Sequence, residues 1–416
     1  MEPVFNFQEM FERSLGLKEP WRVVRAEFRE REREVHVFIQ GSKTTQYACP
    51  ICGKKSERYD EEDEERIWRH ADVVLYPCYI HCRRPRVKCE EDGVRVVDAP
   101  WARDRFVRFT LAFEGYAMLL AMSTSLNEAR RLLRISRTAM RNIAGYWVDK
   151  AVREDDLGEV VSLCIDETSF KRGQSYVTIV GDPDSRRVIG VEKDRDRKAV
   201  ERFWEDFVAR GGDSDHIRTV SMDMSNAYRS GMRECFPGAV VVYDRFHVKK
   251  IGLDALDEVR RQEQGRQYAG SRKAGRKLLM IPERKLNGPQ QERVEQLCLS
   301  YPKTGRAYRM LQQLDELYRC QSQKEAHMRL LTLVSWMLHS RLEPMKRVGR
   351  MLRDNGREIL SYYEHRVNNG FAEAMNGLIQ TAKRKARGFR TFEGFRIAIY
   401  LTVGKLRLTC PKPFLC

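Results

Sequence analysis

The spacing of apolar residues changes along this chain, and the changes mark its organisation. Within residues 1–20, Phe7, Met10, Phe11 and Leu15 recur at helical spacing, which predicts a short amphipathic helix. Arg22 to Arg29 and Glu34 to Gln40 then read as two strands, the second alternating Val35, Val37 and Ile39 with polar partners. The charged run Glu30-Arg31-Glu32-Arg33 is the turn between them. Residues 103–150 return to a helical period. There, Leu126 to Leu133 forms one short helix, Arg134-Ile135-Ser136 a tight break with Ser136 placed to cap, and Arg137 to Ile143 the start of a second helix. Short helix, three-residue turn and basic second helix describe a helix-turn-helix, whose second helix lies in the major groove of DNA. An ordinary helical hairpin gives the same pattern, and Arg134, Arg137 and Arg141 favour contact with DNA.

Residues 158–247 switch to short apolar runs. The run Val161 to Ile165 ends in Asp166. Ser175 to Gly181 and Arg187 to Glu192 follow as β-rich segments around the turn Gly181-Asp182-Pro183-Asp184, an antiparallel meander. Ala199 to Arg210 is a helix with Val200, Phe203, Trp204 and Phe207 on one stripe. A strand at Arg218 to Met222 ends in Asp223; a helix at Tyr228 to Cys235 and a strand at Ala239 to Tyr243 follow, the latter ending in Asp244. The prediction is a five-stranded mixed sheet with acids at strand ends. A carboxylate at the end of a buried strand is costly unless something pairs with it, and a bound cation is one answer.

From Val248 to about Tyr362 the period is helical throughout, as in Leu311, Leu314, Leu317 and Tyr318 and then Leu330, Leu331, Val334 and Leu338, so this stretch is a helical insertion. Its first part, residues 249–290, carries eleven Lys+Arg against five Asp+Glu: a solvated face or a DNA-backbone surface. The segment from Asn368 returns to the sheet's chemistry. On a helix, Glu373, Asn376 and Gln380 share one face. The next ten residues hold five basic side chains, Lys383, Arg384 and Arg387 among them, and no acid. An acid beside a basic run suits a metal ligand next to a phosphate track; alone, Glu373 reads as a surface glutamate.

Composition narrows the partners. In 416 residues, Lys+Arg number 76 against 59 Asp+Glu, a formal net charge of +17. That excess points to a polyanion, nucleic acid or an anionic membrane, against the plain alternative of a soluble basic protein. The longest apolar patch, Phe109 to Met122, is broken by Glu114 and is too short to span a bilayer, and the first residues show no signal peptide. A cytoplasmic protein is expected, with no membrane partner, and eleven cysteines are expected to be thiols, some of them on metal. Cys49-Pro50-Ile51-Cys52-Gly53 is a zinc knuckle, half of a site, with a redox or buried cysteine pair as the alternative. Cys89 supplies a third ligand. Asp92 stands where the fourth is due, and Cys78, His81 and Cys82 lie close enough in sequence to take its place.

Asp166, Asp223 and Glu373 could together hold two hard divalent cations, Mg²⁺ or Mn²⁺, suited to in-line displacement at phosphorus. In this order, several landmarks resemble the bacterial insertion-sequence transposases of the L-three family, DDE transposases with an RNase-H-like core. They are Cys49-Pro50-Ile51-Cys52-Gly53, Arg86-Val87-Lys88-Cys89, Gly93-Val94-Arg95-Val96, Ala99-Pro100-Trp101-Ala102, Leu132 to Ser136, and Ile165-Asp166-Glu167-Thr168-Ser169. Ser221-Met222-Asp223-Met224-Ser225 with Tyr228, Asp244-Arg245-Phe246-His247-Val248 and the Asn369 to Arg390 segment complete them.

The resemblance implies an α/β multi-domain chain: a zinc-binding domain at 1–102, a helix-turn-helix domain at 103–157, a catalytic core at 158–247 and 363–416, and a helical insertion at 248–362. It also implies a triad of Asp166, Asp223 and Glu373, with Asp166 bridging both ions. Asp244, the rival second acid, becomes with His247 and Asn376 a supporting residue. The implied activity is transposition: binding of the element's terminal inverted repeats, metal-dependent strand cleavage and strand transfer into target DNA, by a dimer or larger assembly at the bacterial nucleoid. A regulator that binds DNA without cutting it, and a nuclease without strand transfer, remain as alternatives. Two positions depart from the family pattern: Asp92 in the finger, and Ala374 after Glu373 where glycine is usual.

Overall fold

The structure, a computed structural model, describes residues 7–171, 175–265, 272–365 and 370–409. Residues 1–152 with those from 406 make one compact unit and residues 153–405 the other.

The first unit begins with helix α1 (Phe7–Ser14) and strands β1 (Trp21–Arg29) and β2 (Glu34–Gly41). Strands β3 (Tyr47–Ala48), β4 (Lys55–Ser56), β5 (Arg58–Glu61), β6 (Arg66–Val73), β7 (Tyr76–Cys82), β8 (Pro85–Cys89) and β9 (Gly93–Val96) follow. They form a four-stranded sheet in the order β1-β2-β7-β6, a three-stranded sheet β5-β8-β9 and the small pair β3-β4. Alternation along β2 and β7 buries Val35, Val37 and Ile39 with Cys78, Ile80 and Cys82 beneath Trp68 and Trp101.

Three helices complete the unit, α2 (Leu111–Ser123), α3 (Leu126–Leu132) and α4 (Arg137–Arg153). Capping explains where they start. The Thr110 hydroxyl accepts from Phe113 N, Ser125 from Glu128 N, and Ser136 from Ala139 N at 3.1 Å, as its position in sequence predicts. Glu114, fully buried on α2, accepts from the Trp147 indole at 2.9 Å and faces the Arg103 guanidinium at 3.3 Å. Burial nevertheless pushes its carboxyl up to about 7.

The second unit is built on one five-stranded sheet. Strand β10 (Ser162–Ser169) is followed by β11 (Tyr176–Asp182), β12 (Arg187–Lys193), helix α5 (Arg197–Ala209), β13 (Thr219–Met222), helix α6 (Asn226–Cys235) and β14 (Val240–Tyr243). The order is β12-β11-β10-β13-β14. The first three strands form the antiparallel meander read from the sequence, and β13 and β14 run parallel to β10.

Eight helices come next among the described residues: α7 (Arg245–Gln264), α8 (Arg272–Leu279), α9 (Gly288–Ser300), α10 (Pro302–Leu317), α11 (Gln323–Leu338), α12 (Glu343–Asp354), α13 (Gly356–Leu360) and α14 (Tyr362–His365). They bury most of the leucine stripes read from the sequence, Leu311, Leu314, Leu317, Leu330 and Val334 included, but Leu331 is exposed and Leu338 only partly buried. The first begins at Arg245, directly after β14, because Asp244 caps it. The chain then returns as α15 (Gly370–Lys385) and α16 (Phe392–Val403).

Two glycines show which helix covers which face of this sheet. A side chain at Gly190 would strike Phe203 of α5, and one at Gly181 would strike Phe371 of α15. Val180 pairs with Gly190 and Ile165 with Val180, so Ile165 faces α5, whereas its neighbours Cys164 and Asp166 face α15. A buried guanidinium, Arg210, locks the α5 side by bonding Asp155, Asp206 and the Ile189 carbonyl.

Candidate active site and zinc ribbon

The parallel register sets the acids in one row. Ile165 pairs with Met222 and Met222 with Tyr243, so Asp166 on β10 and the residues directly after β13 and β14, Asp223 and Asp244, fall at one level. Period-two alternation turns Asp166 toward the face that α15 covers, and His247 lies within 4.0 Å of both Asp223 and Asp244. Asp166 accepts the Glu167 N–H at 2.7 Å on one oxygen and the Asn376 side-chain amide on the other. One turn further along α15, Gln380 donates to Thr168 Oγ1 at 2.8 Å, and Lys383 reaches the Ser169 carbonyl at 2.5 Å. Three side chains of one helix face thus grip successive positions of β10. Glu373, one turn before Asn376, is exposed on the same face.

Asp244 has other work. One of its oxygens accepts from Phe246 N at 2.8 Å and caps α7, and the other lies 3.1 Å from His247 Nδ1. His247 Nε2 lies 4.0 Å from Asp223. The hydrogen bond to Asp244, with Asp223 and Asp166 nearby, holds the imidazole above the usual histidine range. Asp244 therefore orients the histidine, while Asp223 accepts the Met224 N–H at 2.5 Å on one oxygen and turns the other toward His247. Glu167 points to the other face, as alternation requires, and pairs with Arg195 at 3.1 Å.

Burial pushes the Asp166 carboxyl up to about 6, against the Glu167 N–H, His247 and Asn376, all of which favour its charge. Asn376 Oδ1 is buried without a hydrogen-bond partner. An under-compensated carboxylate beside an orphaned amide oxygen is a donor set with an unmet need for a hard cation and its waters. The three carboxylates Asp166, Asp223 and Glu373 are not drawn into single-ion spacing. Among the described residues, one cluster of ligand atoms lies within 4.8 Å of each other, and it is in the first unit.

That cluster is Cys49, Cys52, Cys89 and Asp92. Cys49 accepts the Gly53 N–H through its carbonyl at 2.9 Å, and Gly53 takes a φ of 75°, the left-handed conformation that turns the knuckle. Gly93, at φ 73°, does the same for the turn that carries Asp92. Asp92 Oδ2 lies 3.3 Å from Cys49 Sγ and 3.5 Å from Cys89 Sγ; Cys52 and Cys89 are 3.5 Å apart. A tetrahedral zinc with its usual bond lengths sets sulfurs ~3.8 Å apart and sulfur and oxygen ~3.6 Å apart. The four donors fit. Cys78 and Cys82 point into the core of the other sheet, and His81 bonds His36 at 2.7 Å and Glu65 at 2.8 Å, so none of the three joins the cluster.

Comparison with known proteins agrees with this arrangement. Residues 163–399 match the transposase family of DDE type named after ISL3. The chain belongs to the ISL3 family of DDE transposases. Residues 45–92 of this transposase match the zinc finger of the IS204, IS1001, IS1096 and IS1165 transposases, which ends on Asp92. The transposase is 26% identical over 390 residues to that of insertion element IS1557 from Mycobacterium tuberculosis, covering 87% of each chain. It is also 26% identical over 394 residues to that of IS1001 from Bordetella parapertussis, covering 93% of this chain and 96% of the relative. No helix among its described residues is long and apolar enough to cross a membrane.

Among the residues read as DNA contacts, Arg137 and Arg141 are exposed on α4, whose opposite face buries Met140, Ile143, Ala144 and Trp147. Arg134 is committed elsewhere: its guanidinium bonds Asp72 and the Leu75 carbonyl at 3.0 Å. Arg384 and Arg387 are exposed beyond the face of α15 that meets β10. Sequence reasoning missed Thr168 as the seat of Gln380, the fully buried Glu114 as a tie between α2 and α4, and the buried His36–His81 pair. Each depends on a partner 33 or more residues away, a separation that no local pattern encodes.

Proposed function

We propose that this transposase cuts and joins DNA strands at the ends of its insertion sequence through an RNase-H-like core in which Asp166, Asp223 and Glu373 hold two Mg²⁺ or Mn²⁺ ions. One observation carries the reading: Asp166 and Asp223 stand level on adjacent parallel strands, and α15 lays Asn376 onto Asp166 with Glu373 a turn away. When bound, such ions activate the attacking oxygen and stabilise the leaving one in an in-line displacement. The protein's own part is positional. Asn376 and the Glu167 amide fix both oxygens of Asp166, the grip of Gln380 and Lys383 on β10 fixes the level of Glu373, and Asp244 fixes the ring of His247 beside Asp223.

The zinc ribbon and the α3–α4 helix-turn-helix, with Arg137 and Arg141 on its exposed face, would recognise the terminal inverted repeats. Arg384 and Arg387, with Lys383 anchored beside them, would follow the phosphate backbone. Acting on two ends at once requires two cores, hence a dimer or larger assembly on DNA, in the bacterial cytoplasm. The test is strand nicking and joining on a duplex cut from the element's own boundary, with Mg²⁺ or Mn²⁺. Activity that survives Asp166→Asn overturns the assignment. Binding without cleavage by the wild type favours a regulator, and cleavage without joined products favours a nuclease.

A further inference from the structure

The β6–β7 hairpin ends in a feature that neither the zinc site nor the catalytic core uses. At its tip, Val74 is 84% exposed and Leu75 is 77% exposed. Val74 holds a φ of 62°, a conformation that β-branched residues avoid and that persists only where its surroundings enforce it. Water-exposed aliphatic residues on a strained turn gain nothing for folding.

The surroundings that enforce it are the helix-turn-helix. Arg134, in the turn between α3 and α4, bonds Asp72 on one side of the tip and the Leu75 carbonyl on the other. Arg69 also bonds Asp72, so the one acid of the tip is matched by two guanidiniums. At its base the hairpin is fastened to α2. Arg69 N donates to the Arg108 carbonyl and Thr110 N to the Arg69 carbonyl, and Thr110, the cap of α2, bonds His70 at 2.8 Å. The tip is therefore fastened to the helices, with its two aliphatic side chains exposed to solvent.

Its place relative to DNA follows from the turn. Arg137 begins α4 three residues after Arg134, at most about 10 Å of chain away. The first residues of a recognition helix meet base edges in the major groove. If α4 docks in this way, a tip held this close would stand over the phosphates that border the major groove, facing the minor groove beyond. The field is favourable: residues 130–141 carry five arginines and no acid. Proteins that read the minor groove use arginines around aliphatic wedges that unstack a base step and bend the duplex. The minor groove, about 6 Å wide, is too narrow for the two-stranded hairpin itself but admits aliphatic side chains projecting from its tip.

We propose that Val74 and Leu75 form such a wedge, entering the minor groove of the element's end beside the major-groove site of α4. This rests on the helix-turn-helix reading above and adds a second, apolar contact to it. The probe is a duplex cut from the element's boundary, carrying 2-aminopurine at successive steps and dyes at its two ends. The full-length protein is titrated in at fixed salt. The wild type is expected to raise 2-aminopurine fluorescence at one step and shorten the end-to-end distance. Leu75→Ser, at an exposed position whose backbone carbonyl still accepts from Arg134, is expected to abolish both signals and weaken binding by ~10–100-fold with the salt dependence unchanged. Arg137→Ala with Arg141→Ala is expected to weaken binding and lower the salt dependence, yet to keep the fluorescence rise at saturation. A wild type that binds without unstacking at any step, or a Leu75→Ser protein that bends DNA as the wild type does, overturns the wedge and leaves the helix-turn-helix intact. Unchanged binding by the double arginine variant overturns the helix-turn-helix reading instead.

Discussion

Replacing Asn376 by alanine tests how the carboxylate of Asp166, the first of the proposed triad, is held. The substitution removes the amide donor from Asp166 and leaves helix α15 otherwise unchanged, since alanine suits a helix interior. Of the groups that favour the charged form of Asp166, the Glu167 N–H and His247 remain, while the burial that pushes its carboxyl up to about 6 persists. A hydrogen bond to a charged group contributes about 1.5–3 kcal/mol, so the carboxylate form loses ~10–150-fold in its equilibrium with any state that needs it charged. The assay is nicking of an end-containing duplex across a Mg²⁺ titration. Asn376→Ala is expected to need ~10–150-fold more Mg²⁺ for half-maximal nicking and to recover rate at the highest concentrations, whereas Asp166→Asn stays inactive throughout. Gln380→Ala breaks a bond between neutral groups and is expected to shift the same midpoint by ~2–10-fold. A Mg²⁺ midpoint for Asn376→Ala equal to that of the wild type would refute the reasoning, because it would mean that Asp166 works without the helix that grips it.

Three more outcomes can be measured on the same protein. Asp92→Cys converts the oxygen donor of the ribbon to sulfur and is expected to slow zinc loss to a chromogenic chelator, while Asp92→Ala speeds it; equal release rates for all three proteins would exclude Asp92 from the site. Glu114 titrates near 7 in the folded unit instead of near 4.5, so its contribution to stability is complete below about pH 4.5 and is lost as pH rises through about 7. The loss comes to about 3 kcal/mol, and Glu114→Gln should remove that part of the decline between pH 5 and pH 8 in urea unfolding followed by tryptophan fluorescence, an identical decline in both proteins being the contrary result. Arg137→Ala is expected to lower the slope of log affinity against log salt by about 1, as the loss of one phosphate contact does, and an unchanged slope would place this arginine away from the backbone.

What could be read in advance, and what could not, divides along physical lines. Asp166 and Asp223 were visible because a short apolar run that stops at an acid reports a strand end, a local property. The cap at Ser136 and the knuckle at Cys49 and Cys52 are local in the same way. The fourth ligand looked open because Cys78, His81 and Cys82 lie closer in sequence to the knuckle than Asp92 does. Yet spacing already separated them: Cys78, Ile80 and Cys82 alternate along one strand face, which sends both thiols into the core, while Asp92 follows Cys89 into a turn that closes at Gly93. Arg134 shows the opposite case. It is basic and stands in the turn of a helix pair, so composition offers it to DNA, but its backbone takes a φ of 56° and its guanidinium is held by Asp72, 62 residues earlier. The meeting of Asp166 with Asn376, 210 residues apart, depends on the whole helical insertion folding back so that α15 lies along β10. No pattern in residues 368–380 encodes that return. It is fixed by tertiary packing, in which Gln380 on Thr168 and Lys383 on Ser169 set the level at which Asn376 meets Asp166. A one-residue slip of α15 would turn its polar face by about 100° and carry Asn376 and Glu373 away from the acid row together. The register of one helix on one strand therefore decides whether the proposed triad can form.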